Sequence, residues 1–429
     1  MKYKQIDKQL FIENRKKLAP LLDKGSLAIF NANDVMPTNA DGTMAFRQNN
    51  DLFWLSGVDQ EESLLLLYPE NPNEKEREML FLKETSALIA IWEGEKLTKE
   101  NAFNTSGIKT VYWLEELEIK LKELVGKADT VYLNKNMHSR STSQVQTRDD
   151  RFRLMIEEKF SGKEIKEVAP IMHELRYVKS EIEISLMQKA CDITEKGFRR
   201  ILPFIKPGVM EYEIEAELMH EFLRNRSAGF AYQPIIGAGI DSCVLHYIEN
   251  NKICKDGDIL LMDFGAEYAN YASDLTRTVP VNGRFSKRQK AVYNAVLHVM
   301  KEATNMLVPG TIFKDYNLEV SKIMESELIK LGLLDKHDVQ KQDAENPLYK
   351  KYFMHGTSHY LGLDVHDVGS FETPMREGMV FTCEPGIYIL EEELGIRLEN
   401  DVLVTKDKPF DLMGNIPIEL NEIEEMMNT

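Results

Sequence analysis

Histidine is the commonest neutral metal ligand and the side chain best matched to proton transfer near neutral pH. Three of the chain's nine histidines, His355, His359 and His366, fall within the single stretch Met354–Asp367. Between them Leu361, Leu363 and Val365 alternate with small or polar residues, which predicts a strand wall. Lone histidines are usually ordinary surface or core residues, so the reading turns on acids elsewhere that could answer this cluster.

Four acids qualify. The apolar run Ile259–Met262 ends in Asp263 and, one residue on, Gly265, and Asp274 opens a second strand-like run, Leu275–Val279. A hairpin over 266–272 would set Asp263 and Asp274 side by side, where two carboxylates repel unless protonated or bridged by a cation. The pattern returns later. Met379–Cys383 runs into Glu384, and Gly395–Val404 places Arg397, Glu399 and Asp401 on one face, with a bulge or turn expected after Asn400. Four carboxylates with one imidazole, His359, are too oxygen-rich for a closed structural zinc site. Two divalent ions sharing carboxylates fit better: Mn²⁺ first, with Co²⁺, Fe²⁺ or Zn²⁺ as alternatives.

Competing motifs fail on inspection. His173-Glu174 and His220-Glu221 lack the second histidine of a zinc-protease helix, and no phosphate-binding loop is present. Gly356-Thr357-Ser358 lacks the closing glycine of a nucleophile elbow, and Gly237-Ala238-Gly239 lacks a third glycine.

The elements that must position these residues fall into two parts. An α/β domain is expected over 1–165, with strands at Ser26–Phe30, Ser63–Tyr68, Met79–Leu82, Leu88–Trp92 and Thr130–Leu133. A helix over Leu114–Val125 would be capped by Gly126, and Arg47–Trp54 reads as a capped turn. The second domain, 175–429, opens at a Ser180/Glu183 capping box with a helix whose inner face carries Ile184, Met187, Cys191, Phe198 and Ile201. It runs to Lys206-Pro207-Gly208, and Glu211–Leu223 follows as a second helix. About 100 residues later a Ser286/Gln289 box, a helix lined by Val292, Val296, Val299 and Met306, a Val308-Pro309-Gly310 stop and a further helix repeat the plan. Two related α+β halves follow, with the chemistry at their seam.

Composition bounds the rest. At 429 residues two domains are the default, and 43% hydrophobic with 29% charged residues is normal for a soluble globular chain. A net charge of −17 argues against nucleic acid, and no apolar run approaches the ~20 residues of a membrane span. Cys191, Cys243, Cys254 and Cys383 show no paired spacing and read as reduced, mostly buried thiols. A cytoplasmic protein is expected.

The segments around Asp263, Asp274, His359, Glu384 and Glu399 resemble the five-ligand pattern of the aminopeptidase P/prolidase group of dinuclear metallopeptidases. His355–Asp367 is similar to that group's signature at nearly every position, with Thr357 a mild departure, and Arg47–Gly57 resembles the group's amino-terminal domain. The resemblance is strong over about 170–410 and extends over almost the whole chain. It implies a creatinase/aminopeptidase P-like amino-terminal domain and a "pita-bread" catalytic domain with pseudo-twofold halves. It implies that Asp263 binds one metal, that Asp274 and Glu399 bridge both, and that His359 and Glu384 hold the other. Glu384 would also be the general base. His246 and His366 would stand near the scissile bond, His355 and Arg397 would line the substrate cleft, and Asp41 would be lent to a neighbouring subunit's site. Taken alone, His246 reads as a structural histidine, so its role rests on the resemblance.

The implied reaction is release of the first residue from peptides with proline second, by a homo-oligomer, dimer or tetramer, acting on proline-containing peptides. A prolidase restricted to Xaa-Pro dipeptides is the alternative, and a metal-free binding module the third reading. Creatinase shares the implied fold but lacks the ligands, all five of which are present here.

Overall fold

The computed structural model describes residues 2–429, which divide into two compact units, Tyr3–Arg176 and Tyr177–Thr429.

The first unit holds helices α1 (Gln9–Leu18), α2 (Asn50–Ser56), α3 (Ala87–Glu93), α4 (Lys99–Ser106), α5 (Leu117–Lys127), α6 (Arg148–Lys159) and α7 (Ala169–Tyr177, whose last residue falls in the second unit). Its strands are β1 (Leu27–Asn31), β2 (Leu64–Leu67), β3 (Glu78–Leu82), β4 (Thr110–Trp113), β5 (Thr130–Leu133) and β6 (Glu164–Glu167). They form one mixed sheet in the order β4-β3-β2-β1-β5-β6. Leu27, Ile29, Leu64, Leu66, Met79, Phe81 and Val131 pack from it against Leu121, Leu124 and Val125 of α5.

Two expectations need correction here. Leu88–Trp92 is not a strand but lies within α3, which Ser86 caps by accepting a hydrogen bond from the Ile89 N–H (3.2 Å). Because β3 and β4 pair in parallel, the chain between them must cross over, and a hairpin strand cannot do that. Leu88, Ile91 and Trp92 accordingly face outward, between 66% and 82% exposed. Nor does Gly126 cap α5, which continues to Lys127 and closes at Ala128. The Arg47–Trp54 stretch is capped as expected, but by Asn49 at the start of a helix, α2.

Asp149, in the first turn of α6, illustrates a cost inside this unit. Burial holds its carboxyl up at about 6 against an ordinary 3.8; the hydrogen bond from Asn31 (2.8 Å) opposes this and the charge of Asp51 adds to it. Between pH 4 and 6 the folded chain keeps a proton the unfolded chain has released, so stability falls as pH rises through that window. Asp149→Asn is therefore expected to stabilise the protein by about 2 kcal/mol at pH 7.5 and to do nothing at pH 4. Thermal denaturation at both pH values checks this, and equal melting temperatures at pH 7.5 would refute it.

The second unit is built twice over. Its first half has α8 (Glu181–Ile201), α9 (Glu211–Arg224), β7 (Ile235–Ala238), β8 (Ile259–Phe264), β9 (Glu267–Tyr268), β10 (Tyr271–Ala272) and β11 (Leu275–Pro280). Its second half has α10 (Lys287–Asn305), α11 (Phe313–Lys330), β12 (Val380–Cys383), β13 (Gly386–Ile389), β14 (Leu394–Arg397), β15 (Asn400–Leu403) and β16 (Phe410–Asp411). The antiparallel sheets β11-β8-β7 and β12-β15-β16 carry the two halves, with small pairs β9–β10 and β13–β14 beside them. Both capping boxes form as expected. The helices they open end sooner than expected, at Ile201 and Asn305, and turns lead on to the two Pro-Gly pairs.

Candidate metal centre

Each half delivers two acids from the ends of paired strands. In the first, β8 and β11 pair with Asp263 opposite Thr276, and Asp274 directly precedes β11. The expected hairpin between them is β9–β10, turning on Ala269 (φ 55°) and Asn270 (φ 67°). Gly265 lets the strands close, since a Cβ there would lie 1.7 Å from the Ser273 carbonyl oxygen. The Tyr232 hydroxyl bonds both Asp263 Oδ1 (2.5 Å) and Asp274 Oδ1, so the two carboxylates are indeed neighbours.

In the second half the chain changes partners. Cys383 of β12 pairs with Asn400 of β15, while Gly386 of β13 pairs with Arg397 of β14. Glu384 and Glu399 sit at this switch, between one pairing and the next. The break falls at Leu398–Glu399, ahead of Asn400 rather than after it as expected. Glu399 is then tied to the first half: its N–H donates to Thr276 O (3.1 Å) and its Oε2 accepts from Thr276 Oγ1 (2.6 Å).

Met354–Asp367 supplies the imidazole, though not from the expected strand wall. Tyr360 bridges to β12 at Phe381, and the chain then folds back so that the Asp367 N–H reaches Tyr360 O (3.0 Å). Gly362 sits inside this bend, where a Cβ would come 2.1 Å from Asp367 Oδ2. Folding back stacks His366 edge-on against His359, ring centroids 4.4 Å apart. His359 Nδ1 lies 3.0 Å from Tyr360 O, an acceptor only, so Nδ1 carries a proton and Nε2 is the nitrogen turned to the acids. That nitrogen lies 3.5 Å from Asp274 Oδ2 and 3.4 Å from Glu384 Oε1. Ligand-type atoms of Asp274, His359 and Glu399 all fall within 4.8 Å of one another.

The model for metallopeptidase family M24 matches residues 185–406, and that for the aminopeptidase P N-terminal domain matches residues 11–132. The chain belongs to the aminopeptidase P group of metallopeptidase family M24. A Xaa-Pro aminopeptidase of Haemophilus influenzae is 34% identical to it, over 99% of this chain and 98% of that one. Aminopeptidase PepP of Pseudomonas aeruginosa superimposes with a TM-score of 0.90 at 31% identity, covering 99% of this chain and 98% of that one. A zinc-substituted Escherichia coli aminopeptidase P in complex with product gives 0.89 at 32% identity, covering 99% of both chains.

As a member of the M24 family the chain works with divalent metal ions, and the five residues fit them. Asp274 and Glu399 are almost wholly buried, and burial, with the charge of Asp263 on Asp274 and of Asp274 on Glu399, pushes both carboxyls well up. Such crowding favours protons or cations, and a carboxylate-rich set with one imidazole is donor chemistry that suits divalent metal ions.

Around these five candidate ligands the remaining residues divide. Arg397, expected at the substrate cleft, is buried with its whole fork engaged: Nη2 on Asp263 Oδ2 (2.7 Å), Nη1 on the Tyr388 hydroxyl (2.7 Å) and Nε on Thr276 Oγ1 (3.1 Å). His355 is half-buried. Its Nδ1 donates to Gly356 O and its Nε2 accepts from the Tyr388 hydroxyl, both at 2.8 Å. Burial, aided by the Arg397 charge, holds it down at about 4, so it is neutral throughout the physiological range. His246 is exposed, yet close enough for its charge to disfavour one on His355. Asp41 lies in the first unit, on an exposed loop closed by a Pro37–Thr43 bridge. Tyr232, Thr276 and Tyr388 were not foreseen. Nothing local marks them, because each acts on a partner far along the chain.

Proposed function

We propose that this M24 peptidase is a Xaa-Pro aminopeptidase, releasing the first residue of peptides with proline second. The observation that carries it is the convergence of four carboxylates and the Nε2 of His359 from both halves of one unit. Asp263, Asp274, His359, Glu384 and Glu399 would hold the two divalent ions, with Mn²⁺ the preferred metal. Bound there, the ions supply Lewis-acid activation of a water, bringing its pKa toward neutrality.

The chain's own groups do the rest. Glu384 accepts the water's proton and passes it toward the leaving nitrogen. His246 and His366 donate hydrogen bonds to the tetrahedral oxyanion and the leaving group. His355 has both nitrogens occupied, so its ring shapes the cleft while Arg397 holds Asp263 from behind. Proline's nitrogen carries no hydrogen, which is why peptidases that need that donor handle the bond poorly.

Residues 1–165 form the amino-terminal domain and 175–429 the catalytic one in this reading. The enzyme is a cytoplasmic homo-oligomer, in keeping with four free thiols and an Asp41 exposed on its loop. Among the described residues no helix is long and apolar enough to cross a membrane.

A prolidase would need a carboxylate directly after proline. Comparing an Xaa-Pro dipeptide with an Xaa-Pro-Yaa tripeptide, with metal analysis on the same sample, tests the proposal. The tripeptide should be cleaved at least about tenfold faster by kcat/KM, a gap of about 1.4 kcal/mol. Preference for the dipeptide, or full activity with no bound metal, would overturn it.

A further inference from the structure

The loop between β7 and β8 carries His246 exposed on its crest, yet a single side chain fastens it from beneath. Glu211, in the first turn of α9, is 0% exposed and accepts three hydrogen bonds. The Ala238 N–H reaches its Oε1 (2.9 Å), and the Lys252 N–H (2.9 Å) and the Tyr247 hydroxyl (2.8 Å) reach its Oε2. Two of these donors bracket the part of the loop that carries His246, residues 239–251, and the third belongs to the neighbour of His246. One helical turn on, Glu215 Oε2 accepts from Asn250 Nδ2 (2.9 Å), and Asn250 also accepts from the Ile236 N–H (3.0 Å). The far side of the loop is held separately, by Ser242 Oγ accepting from the Gly395 N–H of β14 (2.8 Å).

All three groups facing Glu211 are donors, and only a carboxylate meets donors with both of its oxygens. The site is also at a helix N-terminus, where a negative charge is favoured. The groups that Glu211 holds are none of the five candidate ligand residues, nor His246 itself. Its reach is through Tyr247, whose ring is buried while the adjacent imidazole is exposed.

We infer that Glu211 is a positioning residue for His246, setting where that imidazole stands over the reacting bond by clamping Tyr247 and the two ends of the segment that carries it. The inference rests on the placing of His246 in the reaction proposed above. A purely structural glutamate would instead support the fold and leave His246 to find its place unaided.

A double-mutant cycle separates the two. Glu211→Gln keeps size but turns an NH₂ toward one of the donors. It is expected to lower kcat about tenfold with KM within about twofold, and to speed amide exchange at Ala238 and Lys252 while the core of α9 stays protected. In a His246→Ala background the same change should cost nothing further. An equal loss in both backgrounds, or no loss in either, overturns the inference. Should Glu211→Gln fold poorly, Tyr247→Phe removes one of the three bonds and is carried through the same cycle, with about a threefold loss expected that His246→Ala abolishes. Full kcat in His246→Ala alone would show instead that the catalytic reading of His246 has failed, and the positioning role with it.

Discussion

Glu384→Gln is expected to lower kcat by about a thousandfold or more while the protein stays folded and still binds its ions. The side chain stands at the switch between two strand pairings, with its N–H fixed on Thr357 O (2.8 Å) and its Oε1 3.4 Å from His359 Nε2. An amide of the same shape keeps one oxygen for a cation, and the Thr382 hydroxyl 3.4 Å from Oε1 can still donate to it. What the amide cannot do is accept a proton. The loss should therefore fall on kcat rather than on KM, and metal content measured on the same sample should remain near that of the unaltered protein. Near-normal turnover with ions loaded would remove Glu384 from the role of base.

Of the candidate ligands, Asp263 and Glu384 were the most legible because each breaks a local rule. Asp263 follows four apolar residues of a buried strand, and Glu384 ends another, so each stands where an unpaired charge is costly. Such conflicts between pattern and residue type concentrate at functional sites. The supporting groups break no rule. Tyr232 and Tyr388 are ordinary aromatic residues in apolar stretches, and their work depends on contacts fixed only when the sheets close. Leu88–Trp92 failed for a different reason. A short apolar run reads alike as buried strand or as one helical turn, and only the parallel β3–β4 pairing, which demands a crossover, decides it. The break at Leu398–Glu399 was legible in kind and missed in place, since the exchange of strand partners that causes it leaves no mark in the run itself.

That exchange of partners also places Arg397 among the acids. The guanidinium is 4% exposed and is the cation in contact with Asp263, in a cluster that also holds Asp274, Glu384 and Glu399. Arg397→Met keeps much of the apolar stem but removes this charge, and breaking a buried pair typically costs about 3–5 kcal/mol because the partner is left uncompensated. Bound divalent ions offset the same negative charge, so the cost should depend on whether they are present. Chelated protein is expected to lose nearly the whole amount, and ion-loaded protein about half of it, since in the variant the ions take over part of the charge balance and are bound more tightly for it. Urea denaturation of both proteins, with and without a chelator, measures the difference. If the variant lost the same stability with and without ions, Arg397 would be holding its strand in place through Tyr388 and Thr276 alone, and its charge would have no part in balancing the acids.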